Sequence, residues 1–158
     1  MFSRNIDSLE ALDKFSQELA LEIQQSLRDD KDLVILLKAS MAAGKTTLIK
    51  SLAKALRVEE TVTSPSFAGI HQYSFDLDDA PVIFYHLDLY QMNLDLDAFL
   101  ELMNQEERLF FTIEWSEKIS DEILRFFTKK KDHIRVLDLS IENLDDDQRL
   151  IRISDQNV

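Results

Sequence analysis

Hydrophobic residues recur at steps of three or four over residues 9–27, which is the spacing of one face of an amphipathic helix. The members of this stripe are Leu9, Leu12, Phe15, Leu19, Ile23 and Leu27. Asp7 and Glu10 have the spacing of a capping box, so Asp7 is the predicted N-cap of this helix. Comparable apolar spacing predicts three further helices, over residues 48–56, 94–105 and 121–127.

Other stretches are apolar without a helical period, as strands covered on both faces are. They occupy residues 32–37, 82–90 and 109–115, and residues 68–75 add a fourth strand before an acidic turn at 76–79. Helix, strand, loop and helix follow one another from residue 9 to residue 56. This order predicts an α/β domain.

The end of the chain has a different pattern. Residues 134–141 and 150–153 alternate between apolar and polar side chains, and the acidic segment at 145–147 joins them. Strict alternation around such a turn predicts an antiparallel hairpin, which we place at the edge of the sheet.

Composition narrows the class of protein. A chain of 158 residues is long enough for one domain with a real core, so we expect a single domain over residues 1–158. The net charge of −12 argues against a protein that binds nucleic acid by itself. There is no cysteine, no apolar leader at the start, and no uncharged run of the roughly 18 residues that a membrane span needs. We therefore expect a cytoplasmic protein with no membrane contact.

A phosphate-binding loop is predicted directly after the strand at 32–37. Ala39, Gly44, Lys45 and Thr46 match the pattern [Ala/Gly]-x4-Gly-Lys-[Ser/Thr], and a helical pattern follows. Backbone N–H groups of residues 42–47 would cradle phosphates, the lysine would neutralise their charge, and the threonine hydroxyl would bind Mg2+. A lysine at a helix N-terminus opposes the helix dipole, which favours a bound anion.

A carboxylate from a neighbouring strand should complete such a site. Asp88 and Glu114 each close an apolar strand and are the two candidates. His86 shares a strand face with Asp88. Ser64 and Ser66, on either side of a proline, are placed to offer hydroxyls to a metal or a γ-phosphate.

Taken together, these segments resemble the TsaE (YjeE) family, small P-loop ATPases of tRNA threonylcarbamoyladenosine synthesis. The segments that carry the resemblance are residues 42–47 (Ala-Ala-Gly-Lys-Thr-Thr), 62–67 (Val-Thr-Ser-Pro-Ser-Phe), 86–90 (His-Leu-Asp-Leu-Tyr) and 113–115 (Ile-Glu-Trp). The resemblance implies a three-layer P-loop NTPase-like fold with a mixed, mainly parallel sheet. It also implies ATP and Mg2+ as ligands and weak hydrolysis that partners stimulate. Those partners are TsaB and TsaD, which modify adenosine 37 of tRNA, so that tRNA contact is indirect.

The resemblance also implies roles for residues. Lys45 would be the phosphate lysine, Thr46 and Asp88 would hold the metal, and Glu114 would position the attacking water. The nucleotide-binding residues would be Ala42, Ala43, Gly44, Lys45, Thr46, Thr47, Ser66 and Trp115.

Three departures from the family pattern stand out. Ala39 and Ala42 replace loop glycines, Ser40 replaces an acidic residue, and Gln91 stands where arginine is common. An alanine forced into a left-handed conformation would cost about 1–2 kcal/mol. This leaves an alternative function open, a structural subunit of the same complex whose nucleotide binding is impaired. A small-molecule kinase is disfavoured because arginines are few after the loop, and a GTPase because residues 129–132 lack a base-reading motif.

Overall fold

The computed structural model describes residues 2–156; Met1, Asn157 and Val158, which the predicted domain included, lie outside the described residues. The described residues form seven strands and four helices. They are β1 (Phe2–Ile6), α1 (Leu9–Arg28), β2 (Asp32–Ala39), α2 (Lys45–Ala55), β3 (Ile70–Leu77), β4 (Ala80–Asp88), α3 (Leu96–Met103), β5 (Arg108–Glu114), α4 (Asp121–Lys129), β6 (Ile134–Asn143) and β7 (Arg149–Asp155). A single 3-10 turn, Ser116–Lys118, follows β5.

The strands form one mixed sheet in the order β1-β7-β6-β2-β5-β4-β3. The four central strands, β6, β2, β5 and β4, are parallel to one another. β3 and β7 run the other way, and β1 is antiparallel to β7. Five of the seven strands therefore point in one direction, and the predicted mixed, mainly parallel sheet is confirmed.

Helices cover both faces of this sheet, which confirms the predicted three layers. Leu33, Ile35 and Leu37 of β2 pack in one core cluster with α1 and α2. Val34 and Leu36, on the opposite face of the same strand, pack with residues of α3 and α4. Since residues 33–37 of β2 are buried on both faces, each of these positions needs an apolar side chain, which explains their unbroken apolar sequence.

Two details of the prediction were wrong. The N-cap of α1 is Ser8 rather than Asp7, because the extended Ser8 places its Oγ 3.1 Å from the Ala11 N–H, which donates to it. The C-terminal hairpin is confirmed, but it does not end the sheet, since β1 pairs with the outer side of β7. The sequence gives little sign of β1, because its side chains are mostly exposed and do not alternate.

The parallel strands bring their carboxyl ends to one edge of the sheet. In the register of β4 and β5, Asp88 lies opposite Glu114, and Glu114 lies opposite Leu37 of β2. The loop from β2 to α2 starts at Ser40, three residues after Leu37. Ligands of open α/β sheets bind at this edge, where strands end and helices begin. Within residues 2–156, no helix has both the length and the apolar character to cross a membrane.

Candidate functional site

The loop between β2 and α2 ends at Gly44, which is the N-cap of α2. Gly44 has a φ of 99° and offers no side chain to cap the helix. The N–H of Leu48 donates to the Gly44 carbonyl, so the N–H groups before it have no partner within the helix. The first turn of α2 also contains no acidic residue. An anion at this helix end would satisfy both the free N–H groups and the helix dipole.

Only one of the two loop alanines is strained. Ala42 has a φ of 59°, in the left-handed region, whereas Ala39 is the last residue of β2 and is not among the positive-φ residues of the described chain. A side chain with a Cβ pays about 1–2 kcal/mol in this region. The loop therefore carries the cost of one missing glycine, at position 42.

Trp115 is a second strained residue of the site, with a φ of 56° directly after β5. The other non-glycine residues with positive φ between residues 2 and 156 are outside the site, at Asp30, Arg57, Asp78 and Asp79. Non-glycine residues in the left-handed region often occur at functional sites, where the surrounding structure holds them.

Lys45 is a buried cation that pairs with no carboxylate within residues 2–156. Its side chain is in the first turn of α2, the residue is 8% exposed, and Nζ donates to the carbonyl of Ala39 at 3.1 Å. Nζ also lies 4.2 Å from the centroid of the Trp115 ring. None of the ion pairs formed by residues 2–156 includes Lys45. Buried charges are normally paired, so this lysine is suited to an anion that comes from outside the chain.

Asp88 is held in place from two sides. Its Oδ1 accepts from the Tyr90 N–H at 2.9 Å, and its Oδ2 accepts from the Ser66 hydroxyl at 3.2 Å. The Ser66 hydroxyl lies 2.6 Å from that of Ser64. The predicted serine loop therefore contacts the predicted metal carboxylate directly, and the carboxylate stays in a fixed orientation at the end of β4.

Glu114 contacts His86, and the sequence did not predict this contact. Its Oε1 lies 2.8 Å from Nε2 of His86, and both residues are buried. Period-two spacing placed His86 on the same strand face as Asp88. The pairing with Glu114 depends on the register of β4 against β5, in which the two strands are parallel neighbours, and no sequence signal gives that register.

A cavity of about 320 Å3 joins these side chains. Seven of the predicted site residues line it: Ala42, Lys45, Thr46, Ser66, Asp88, Glu114 and Trp115. The other three, Ala43, Gly44 and Thr47, line a separate cavity of about 300 Å3 on the other side of the loop. Met41, Phe67, Tyr90 and Gln91 also line the first cavity and were not predicted there. The side chain of Phe67 is 99% exposed, although phenylalanine is ordinarily found in the core.

The oxygen donors of the first cavity fit a magnesium ion. Thr46 and Asp88 supply a hydroxyl and a carboxylate, the ligand types that Mg2+ prefers. No group of three or more His, Asp or Glu side chains within residues 2–156 could hold a metal by itself. Mg2+ usually keeps several waters and binds through one or two carboxylates and the phosphates of a nucleotide, so a partial set of protein ligands is what it needs.

The fold and this site define a P-loop-like α/β protein, with its loop between a central parallel strand and the next helix. The family model described as "Threonylcarbamoyl adenosine biosynthesis protein TsaE" matches residues 6–151. The chain belongs to the TsaE family, and the resemblance seen in its motifs is confirmed.

Individual relatives agree with this assignment. The chain is 35% identical over 138 residues to the tRNA threonylcarbamoyladenosine biosynthesis protein TsaE of Aquifex aeolicus, with 86% of each chain covered. It is 36% identical to the protein of that name from Nostoc over 92 residues, 54% of each chain. The crystal structure of Bacillus subtilis YdiB superposes with a TM-score of 0.58 at 22% identity, covering 95% of this chain and 82% of that one. The superposition with YdiB shows that the two chains share a fold.

Proposed function

We propose that this chain is a Mg2+-dependent ATPase of tRNA threonylcarbamoyladenosine synthesis, with residues 1–158 forming its ATPase domain. The observation that carries the proposal is Lys45, a buried cation without a carboxylate partner within the described chain, at the uncapped end of α2. Asp88 and Glu114 line the same cavity. A site with one cation, two carboxylates and free N–H groups suits a polyphosphate that arrives with its own metal ion.

Each residue has a distinct task in this proposal. N–H groups of residues 42–47 bind phosphate oxygens, and Lys45 exchanges the Ala39 carbonyl for the β/γ oxygens. Thr46 and Asp88 would hold the metal, with Ser66 keeping the carboxylate oriented. Bound Mg2+ supplies charge neutralisation of the phosphates. Glu114 positions the water that attacks the γ-phosphate.

The second cavity has the right place for the nucleoside. Gly44 and Thr47 beside the phosphate loop line it, together with Ser8, Leu9 and Arg149 of the β6–β7 hairpin. Its volume of about 300 Å3 is at the lower end of the range of small-ligand pockets. A nucleotide could therefore extend past the loop from one cavity into the other.

The proposed partners are TsaB and TsaD, and tRNA is reached through them. The net charge of −12 supports this division of labour, because a protein with this charge repels a phosphate backbone. The proposed compartment is the cytoplasm, where such a complex meets tRNA.

ATP turnover with and without TsaB and TsaD tests the proposal. We expect Lys45→Ala to abolish turnover in the full complex, because the variant removes the cation at the phosphates. Lys50→Ala is the matched control, since Lys50 is an exposed lysine on the same helix and should leave turnover unchanged. Turnover by Lys45→Ala equal to that of the wild-type protein would contradict the proposal.

The second candidate is a structural subunit of the same complex with impaired nucleotide binding. The positive φ of Ala42 favours it, because the loop pays about 1–2 kcal/mol to hold a conformation that glycine adopts freely. Isothermal titration separates the two candidates. Heat of binding with ATP and Mg2+ supports the ATPase, and no heat at millimolar ATP, alone or with the partners, supports the structural subunit.

A further inference from the structure

His86 is completely buried next to the candidate site, and its only polar side-chain contact within residues 2–156 is with Glu114. The residue is 0% exposed, and its Nε2 lies 2.8 Å from Oε1 of Glu114. Nδ1 of the same ring has no hydrogen-bond partner within residues 2–156. An ionised carboxylate only accepts hydrogen bonds, so Nε2 carries the hydrogen and donates it. The polar side of this ring is therefore directed at a single group.

Packing alone does not explain a histidine here. The ring stacks on Phe84, with the two centroids 6.5 Å apart and the planes 13° from parallel. Across the strand, His86 is in register with Thr112, whose buried Oγ1 likewise has no partner in the described chain. An apolar side chain would fill this position without leaving a buried nitrogen unpaired. The contact with Glu114 is what an apolar residue could not replace.

Glu114 needs such a contact if its carboxylate is to act on a water. A glutamate has three rotatable side-chain bonds, and the end of β5 fixes only its backbone. The cavity into which the nucleotide would bind is lined by the same residue. An error of about 1 Å in the placement of a reacting group can cost about a hundredfold in rate.

We propose that His86 is a positioning residue, which donates a hydrogen bond to Glu114 and holds that carboxylate in the orientation that orders the attacking water. The inference rests on the ATPase function proposed above. It assigns His86 no contact with nucleotide or metal, so its effect passes through Glu114 alone.

The experiment measures kcat and KM for ATP in the complex with TsaB and TsaD. His86→Leu should lower kcat about 10- to 100-fold, as misplacement of a reacting group does, while KM changes less than about threefold. His86→Gln keeps an N–H donor at the end of the side chain and should restore most of the lost kcat. His71→Gln is the matched control, because His71 pairs with His86 across β3 and β4 but contacts Thr63 and Tyr73 instead of Glu114.

A double-mutant cycle shows whether His86 acts through Glu114. In a Glu114→Gln background, adding His86→Leu should not lower the residual kcat further, because the carboxylate that His86 would position is already gone. An equal additional loss in that background would overturn the inference, as would an unchanged kcat in His86→Leu when the kcat of Glu114→Gln is strongly lowered. If His86→Leu does not fold, His86→Asn takes its place, since its shorter amide cannot reach Glu114.

Failure of the ATPase function has a different signature. In that case Lys45→Ala and Glu114→Gln would both turn over ATP like the wild-type protein, and the inference about His86 would fall with it. If turnover is strongly lowered in those two variants and His86→Leu is fully active, only the inference falls.

Discussion

Replacing Ala42 with glycine should stabilise this protein, although most substitutions of alanine by glycine destabilise. Ala42 has a φ of 59°, where a Cβ costs about 1–2 kcal/mol and glycine has no such cost. The additional backbone freedom of glycine in the unfolded chain reduces this stabilisation by about 0.4–1 kcal/mol. The net gain in the free energy of unfolding is therefore about 0.5–1 kcal/mol. For a domain of this size, that gain raises the melting temperature by about 1–4 °C.

Ala39→Gly should have the opposite effect on the free energy of unfolding. Ala39 ends β2 and packs against the core with an ordinary φ, so glycine relieves nothing there. It should lower the free energy of unfolding by about 0.5–1 kcal/mol. Urea unfolding of both variants and the wild-type protein, followed by circular dichroism, gives the two differences with their signs. A loss of stability in Ala42→Gly equal to that in Ala39→Gly would refute the strain at position 42.

Nucleotide titration of the same two variants completes this experiment. If part of the strain at Ala42 arises only when the loop closes on phosphates, that part appears as tighter binding by Ala42→Gly. Each 1.4 kcal/mol corresponds to a factor of ten in the dissociation constant. The gains in stability and in affinity together should not exceed the cost of one left-handed alanine, about 1–2 kcal/mol.

Two further predictions concern stability away from the loop. Burial raises the pKa of Asp32, although the Leu109 N–H that donates to its carboxylate opposes this. The ionised form therefore costs stability at pH 7. Asp32→Asn should raise the free energy of unfolding at pH 7, and this gain should shrink as the pH falls toward 3.8, the ordinary pKa of an aspartate. An equal gain at pH 7 and at pH 4 would contradict this prediction. Ser8→Ala should lower the free energy of unfolding by about 1 kcal/mol, because α1 loses its N-cap. Asp7→Ala is the control and should change the free energy of unfolding by less than about half of that amount. Equal losses in the two variants would contradict the assignment of Ser8 as the N-cap.

The sequence predicts the central strands and the helices well, because their physical signals are local. Residues 33–37 of β2 are apolar at every position because helices cover both sides of the sheet, and the apolar stripe of α1 repeats at a helical period. β1 lacks any such signal. Its place in the sheet depends on β7, nearly 150 residues away in the sequence, whose outer edge it covers. Pairing between distant segments of this kind leaves no pattern within either of them.

The same distinction holds for the site. The order of Gly44, Lys45 and Thr46 after a strand is a local feature, and it predicts the phosphate loop. The left-handed φ of Ala42 depends on the path of the whole loop between β2 and α2. The residue type at position 42 does not determine this φ. The contact of His86 with Glu114 requires the register of two parallel strands that α3 separates in the chain.

Trp115 is the only tryptophan in the sequence, and its indole lies over the ammonium of Lys45. The intrinsic fluorescence of the whole protein, excited at the red edge of protein absorption, therefore reports on a single place. When an anion draws the ammonium away from the ring, the emission of that one indole should change. Ligand arrival at the phosphate loop can thus be followed in real time in the unlabelled protein, by stopped flow, without a dye and without a substitution.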